Sequence, residues 1–203
     1  MTNVWQELLA ARREASGRWL FFRRALAHPL QLFSPLPSSA SLGRLVARHI
    51  PDLARTKVVE IGGGTGVITR ALLEAGLAPD RLIVVEIDEE LADYLRRQFP
   101  DVRVVSGDAA RLPELLPPSW RGSVGTVING IPMAVLSATA QQQLFDALLG
   151  TLGAGGRYLQ YTYSLFSPLQ ARRLGLQARR LAITFANFPP ASLWTYQPRP
   201  DAG

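Results

Sequence analysis

The 203-residue chain has no cysteine. That absence removes disulfide frameworks, thiolate nucleophiles and zinc–cysteine centres together. Long apolar runs are also missing, since no stretch approaches the roughly 20 residues that a membrane-spanning helix requires. Arginines interrupt the N-terminus before an apolar segment can develop, so it reads as a poor secretory signal. Histidine is scarce: His28 and His49 both stand outside the glycine-rich and acidic motifs described below. Neither a histidine-based catalytic dyad nor a metal site is expected. With 47% hydrophobic and 19% charged residues, the composition suits one well-cored domain with an appendage, in the cytoplasm.

The net charge of +6 points to an anionic partner, and its distribution points to where. The first 50 residues hold Arg12, Arg13, Arg18, Arg23, Arg24, Arg44 and Arg48 against only Glu7 and Glu14. The rest of the chain is close to neutral on average. This divides the protein into a basic helical segment, 1–50, and a main domain, 51–203. Within the segment, Trp5, Leu8, Ala15, Trp19, Phe22 and Leu26 recur at helical spacing on one face. Arg12 interrupts that face, while Arg23 and Arg24 flank it. A basic amphipathic helix carrying Trp and Phe is the composition of an interfacial anchor on anionic phospholipid. The competing reading is a helix that packs on its own domain with its arginines solvated.

From Val58 onward, strand-like and helix-like segments alternate, as in a parallel sheet covered by helices. "KVVEI", "RLIVVEI", "VRVVSG", "VGTVIN" and "GRYLQYTYS" read as five strands. Asp88 is placed to cap a helix, with Glu89 and Glu90 in its first turn and Arg96 and Arg97 in its last. Ser137 opens another helix. "LAITFANFPPASLWTYQ" reads as two strands around a Pro-Pro turn, an antiparallel hairpin closing the sheet edge, and "PRPDAG" as an irregular tail. The expected fold is a Rossmann-like α/β sheet.

The segment "VVEIGGGTGVIT", 58–69, departs from two phosphate-binding patterns. Counting from Gly62, the third glycine of a dinucleotide fingerprint would fall on Val67, and no G-K-[ST] ending makes a P-loop. What stands there is Glu60, Gly62, Gly63, Gly64, Thr65 and Gly66. An acid at the end of a first strand repels pyrophosphate and suits a cation. S-adenosylmethionine carries an ammonium and a sulfonium and no phosphate. Glu86, 22 residues beyond Gly64, is placed to accept both ribose hydroxyls, with Ile87 beside it. Asp108, a further 22 residues on, is placed to accept from the adenine amino group while the Ala109 backbone meets the ring. Read separately, these acids are ordinary turn residues; together at this spacing they describe an S-adenosylmethionine site, with S-adenosylhomocysteine as product.

"NGIPM", 129–133, follows the fourth strand, where amine-methylating enzymes place a polar residue and prolines. Asn129 is therefore a candidate to touch both cofactor and target nitrogen. Met133 stands where an aromatic would stack on a flipped base, which counts against a nucleobase substrate. Tyr163 is the second catalytic candidate. Tyr161, Trp194 and Tyr196 are candidates to hold a quaternary ammonium on an aromatic face, or else to pack the sheet.

The segments "PSSASLGRLVA", "VVEIGGGTGVITRALLEAG", "LIVVEID", "SGDA", "NGIPM", "YLQYTYS" and "NFPPASLWTY" together resemble the bacterial phosphatidylethanolamine N-methyltransferases of the soluble, membrane-associating type, relatives of the rRNA adenine dimethylases. The resemblance covers most of the chain, and "QYTYS" and N-x-P-P-A-x-x-W-x-Y are its more specific parts. It implies successive transfers from S-adenosylmethionine to phosphatidylethanolamine and its mono- and dimethyl forms, giving phosphatidylcholine, at the inner face of the cytoplasmic membrane. No nucleic acid or metal partner is implied. An RNA adenine N6-methyltransferase competes on basic charge and is disfavoured by Met133 and by the lack of a C-terminal helical domain. A catalytically silent lipid-binding scaffold is disfavoured by the intact glycines and acids.

Overall fold

The structure is a computed structural model that describes residues 37–187 and 189–198. The expected amphipathic stretch, with Trp5, Arg12, Trp19, Phe22, Arg23 and Arg24, lies outside the described residues, as does the tail 199–203.

Seven strands form one sheet. They are β1 (Val58–Ile61), β2 (Leu82–Glu86), β3 (Arg103–Ser106), β4 (Val124–Asn129), β5 (Leu152–Thr162), β6 (Leu176–Thr184) and β7 (Ala191–Pro198). Their spatial order is β3-β2-β1-β4-β5-β7-β6. The first five run parallel, and β7 inserts antiparallel between β5 and β6. This is the expected Rossmann-like sheet with an antiparallel C-terminal hairpin. Strands β1 and β2 are buried on both faces, which is why they read as unbroken apolar runs rather than alternating ones.

Helices α1 (Pro37–Ala47), α2 (Val67–Glu74) and α3 (Glu89–Gln98) cover one face; the short α4 (Leu112–Leu115) and α5 (Ala138–Leu149) cover the other. Local chemistry sets several boundaries. Asp88 accepts from the Glu90 and Leu91 amides, and Ser137 from the Ala140 amide, so both act as N-caps as expected. Gly76, just past α2, has φ +100°, the left-handed conformation that ends a helix.

Helix α1 revises the proposed division at residue 50. Leu42, Val46, Ala47 and Ile50 belong to the same core as Leu72, Val84 and Leu159. Gly43 lies so close to Ala71 of α2 that any side chain there would collide with it. Residues from at least 40 to 50 are therefore part of the domain, fastened behind the glycine turn.

Strand order reverses between β1 and β4. In open parallel sheets ligands bind at the carboxyl ends of the strands at such a reversal, and every predicted cofactor residue emerges there.

Candidate active site

The glycine turn leaves β1 through three left-handed positions, Gly62, Gly64 and Gly66, with φ of +74°, +53° and +77°. Two of them serve different ends. A side chain at Gly66 would strike the Phe99 ring, so that glycine lets the turn pack on α3. One at Gly64 would meet nothing within 4 Å, so its open backbone offers a surface for close approach by a ligand. Thr65 completes the turn, half-buried. Glu86 fixes this shape: its Oε2 accepts from the Gly64 amide at 2.9 Å, and Oε1 accepts from the Ile87 and Asp88 amides at 2.9 and 3.1 Å.

Glu60 is buried within the sheet, 1% exposed. Thr69 donates its hydroxyl to Oε2 at 2.7 Å, while Oε1 has no hydrogen-bond partner. Burial is the main cause that pushes this carboxyl up to about 8, opposed by the Thr69 hydrogen bond and reinforced by Glu86. An orphaned acid oxygen beneath an open glycine turn fits a cationic ligand and disfavours an anionic one. Asp108 ends the β3 connection and accepts from the Ala110 amide at 2.9 Å, capping a single 3₁₀ turn; Ala109 is buried beside it. These residues fit S-adenosylmethionine: Gly62 to Gly66 as backbone cradle, Glu60 toward the ammonium end, Glu86 and Ile87 toward the ribose, Asp108 and Ala109 toward the adenine. Among the described residues no group of three or more His, Asp or Glu side chains could hold a metal ion.

The acceptor loop corrects one expectation. Asn129 is fully buried and its side chain is already committed. Its Nδ2 donates to the Tyr158 hydroxyl and to Gln160 Oε1, both at 2.9 Å, and its Oδ1 accepts from the Ile131 amide at 2.9 Å. Gln160 closes the network, donating from Nε2 to the carbonyls of Asn129, Ile131 and Tyr161 at 3.0–3.1 Å. Asn129 thus shapes the loop rather than presenting its amide to a substrate nitrogen. Gln160 and Tyr158 escaped the sequence reading. The usable signal was a lone glutamine within the apolar strand "YLQYT", pairing across β4–β5 with the lone asparagine of "VGTVIN".

Tyr161 comes closest to the cofactor residues. Its hydroxyl lies over Gly130, where any side chain would collide with it, and Gly130 in turn abuts the Gly62 carbonyl. Burial raises its pKa well above the ordinary phenol value, and Tyr163, Glu60 and Glu86 add to the rise. Tyr163 is half-buried against the same core and is also raised by burial. Trp194 and Tyr196 are corrected to packing residues. The Arg180 guanidinium lies over the Trp194 ring at 5.5 Å, and the indole N–H donates to Ser192 Oγ at 2.8 Å. Tyr196 is buried edge-on against Phe145 and Tyr158. Met133 is wholly buried, so it has no face to offer a base. The ring of His49 bonds the Leu45 carbonyl at the end of α1, a structural role.

Comparison with known proteins agrees with this geometry. Residues 58–156 match the family described as methyltransferase domain. The chain is 31% identical over 147 residues to an ornithine lipid N-methyltransferase of Singulisphaera acidiphila, covering 71% of this chain and 77% of that one. It is 39% identical over 99 residues to ribosomal RNA small subunit methyltransferase A of Synechococcus, but there it spans only 33% of the relative's length. Among solved structures, magnesium protoporphyrin IX methyltransferase of Synechocystis with bound S-adenosylmethionine superposes with a TM-score of 0.60 over 80% of each chain, at 14% identity. An open glycine turn, the orphaned buried Glu60 of the first strand and the Glu86 carboxylate at the end of the second meet in this fold and this likeness: the chain belongs to the class I S-adenosylmethionine-dependent methyltransferases.

Proposed function

We propose that the protein methylates the amine of phosphatidylethanolamine, and of its mono- and dimethyl derivatives, to give phosphatidylcholine. The observation that carries this reading is the likeness to a lipid N-methyltransferase across most of both chains. The buried Met133, which removes the stacking platform a flipped base would need, supports it further. The ribosomal RNA relative matches only 45% of this chain and 33% of its own length.

When bound, the cofactor supplies an electrophilic sulfonium methyl. A neutral amine would take that methyl in line, with the thioether sulfur leaving; the first two transfers would each give up one proton to solvent, and the third would leave a quaternary ammonium with none to lose. Such a reaction needs positioning and exclusion of water more than a strong base. The chain's part is to hold the acceptor loop, 129–132, against the glycine turn. The Gly130 amide donates to the Ile61 carbonyl at 2.8 Å, and the Asn129–Gln160–Tyr158 network fixes the loop from behind. The Tyr161 hydroxyl, kept protonated by its raised pKa, is available to orient an amine N–H but not to act as a base.

The decisive experiment offers labelled methyl donor with vesicles containing phosphatidylethanolamine, with vesicles containing ornithine lipid, and with RNA. Label in mono-, di- and trimethylated phosphatidylethanolamine is the expected result. Label confined to ornithine lipid selects the second reading, which the Singulisphaera relative favours, and label in RNA rejects both.

A further inference from the structure

The near-neutral average of residues beyond 50 conceals two opposed halves. Residues 51–146 carry nine Lys and Arg against thirteen Asp and Glu, whereas 147–200 carry six arginines and no acid at all. The fold turns this division into a direction. The acidic half builds β1 to β4, including the cofactor carboxylates, and the basic half builds the other side of the sheet, β5, β7 and β6.

The basic side also carries the most exposed aromatic residues described. Phe166 is 81% exposed, Phe185 75% and Leu165 42%. Chain direction places all three at one end of the sheet. Strand β5 runs parallel to β4 and β1, so the segment after Thr162 emerges at the carboxyl end, beside the cofactor residues. Strand β7 is antiparallel to β5 with Thr162 opposite Ser192, so the turn between β6 and β7 emerges at that end too. The aromatic residues are held there by a built structure. Ser192 Oγ donates to the Ser164 carbonyl at 2.5 Å and Arg180 Nη1 to the Leu165 carbonyl at 3.0 Å, fastening the 164–166 segment to the hairpin.

We propose that Leu165, Phe166 and Phe185 form a second membrane-docking point, which seats the acceptor end of the sheet on an anionic bilayer. This rests on the lipid-amine reading above and names how a bilayer-bound substrate reaches the site. Exposed aromatic side chains on a soluble fold mark an interaction surface. The charge pattern selects the kind of partner. Arg179 and Arg180, both exposed, stand four to five residues back from the β6 end, roughly 13–17 Å along the strand. An arginine side chain spans part of that distance, and charge is screened over about 8–10 Å near physiological ionic strength. No carboxylate stands on this half; the acidic strands lie to its side in the same sheet. The membrane would then meet Tyr161 and Gly130 before the cofactor, the order a lipid amine requires.

The test uses the full chain with Phe166→Ser and Phe185→Ser combined; both side chains are exposed, and unchanged affinity for S-adenosylhomocysteine checks the fold. Co-sedimentation with vesicles of phosphatidylethanolamine and phosphatidylglycerol should show binding reduced about tenfold. Methylation of vesicle lipid should fall in step, while transfer to a monodisperse short-chain lipid amine is retained. Binding equal to that of the unaltered protein overturns the proposal, as does a dimer that the substitutions dissolve or RNA binding that they abolish. Should no lipid amine be methylated by the unaltered protein, the substrate reading fails, and the vesicle comparison still decides the docking point.

Discussion

The Gly64 backbone amide donates to the Glu86 carboxylate at 2.9 Å, tying the turn after β1 to the end of β2 across 22 residues of chain. One carboxylate therefore fixes the shape of the turn that we propose cradles the cofactor, and is placed to meet its ribose. Glu86→Ala should weaken S-adenosylhomocysteine binding by about 1.5–3 kcal/mol, the range for a charge-assisted hydrogen bond. Gly64→Val should abolish it by combining a strained φ with a side chain in the open cradle. Calorimetric titration is the measurement; two variants that bind as tightly as the unaltered protein would remove this account of the turn.

Glu60 gives a pH signature. Its folded pKa of about 8 lies above the ordinary carboxyl value of 4.5, so between those values the folded state keeps a proton that the unfolded state has lost. Stability should be greatest below about 4.5 as far as this group is concerned, decline as pH rises, and level off above about 8. The slope is at most about 1.4 kcal/mol per pH unit. A cation bound beside Oε1 favours the ionised form, so binding S-adenosylhomocysteine at pH 7 should release a proton. Calorimetry in two buffers of different ionisation enthalpy reads that proton directly. Glu60→Gln should abolish the release and flatten the stability slope; release that persists in the variant would assign the proton to another group.

Gln160 is predicted to be a positioning residue. Gln160→Leu removes a donor from the Asn129 and Ile131 carbonyls and an acceptor from the Asn129 side-chain amide, while the Met133 amide still serves the Ile131 carbonyl and the Tyr158 hydroxyl the Asn129 amide, so the loss should cost about 1–3 kcal/mol. The midpoint of thermal unfolding should fall by about 5–10 °C. At a temperature where the variant is still folded, kcat should drop while affinity for S-adenosylhomocysteine stays near normal. A parallel loss of both would mean that the network supports the whole fold rather than the acceptor loop.

What could be read from the sequence depended on how local its cause was. The caps at Asp88 and Ser137 were legible because a cap satisfies amides only two or three residues away. Strands β1 and β2 were legible because burial on both faces makes them apolar runs. The partners of Asn129 were not, because they lie 29 and 31 residues away and become neighbours only once β4 and β5 pair. Helix α1 was read as part of the basic helical segment and not of the domain, since its burial depends on Gly43 meeting α2. Arg172, Arg173, Arg179 and Arg180 could be read from the sequence as able to meet lipid phosphates or as a solvated face, but their gathering on one side of the sheet needed the strand order.

The N-terminal segment supplies the last prediction, because the aromatic tip at the sheet edge gives it something to cooperate with. Two weak membrane contacts on one chain raise each other's effective concentration, so losing either should cost more binding than its own contact area implies. Trp19→Ser with Phe22→Ser should weaken vesicle binding even at low salt, since it removes apolar insertion. Arg23→Glu with Arg24→Glu should instead remove the preference for anionic lipid and leave S-adenosylhomocysteine affinity intact, since screened charge acts only near the surface. Co-sedimentation with vesicles of graded anionic content measures both, with tryptophan fluorescence read in parallel. If the segment packs on its own domain instead, the unaltered protein will bind neutral and anionic vesicles equally and show no blue shift. In that case the first pair of substitutions will lower the unfolding temperature rather than the membrane affinity, because Trp19 and Phe22 will then be core residues.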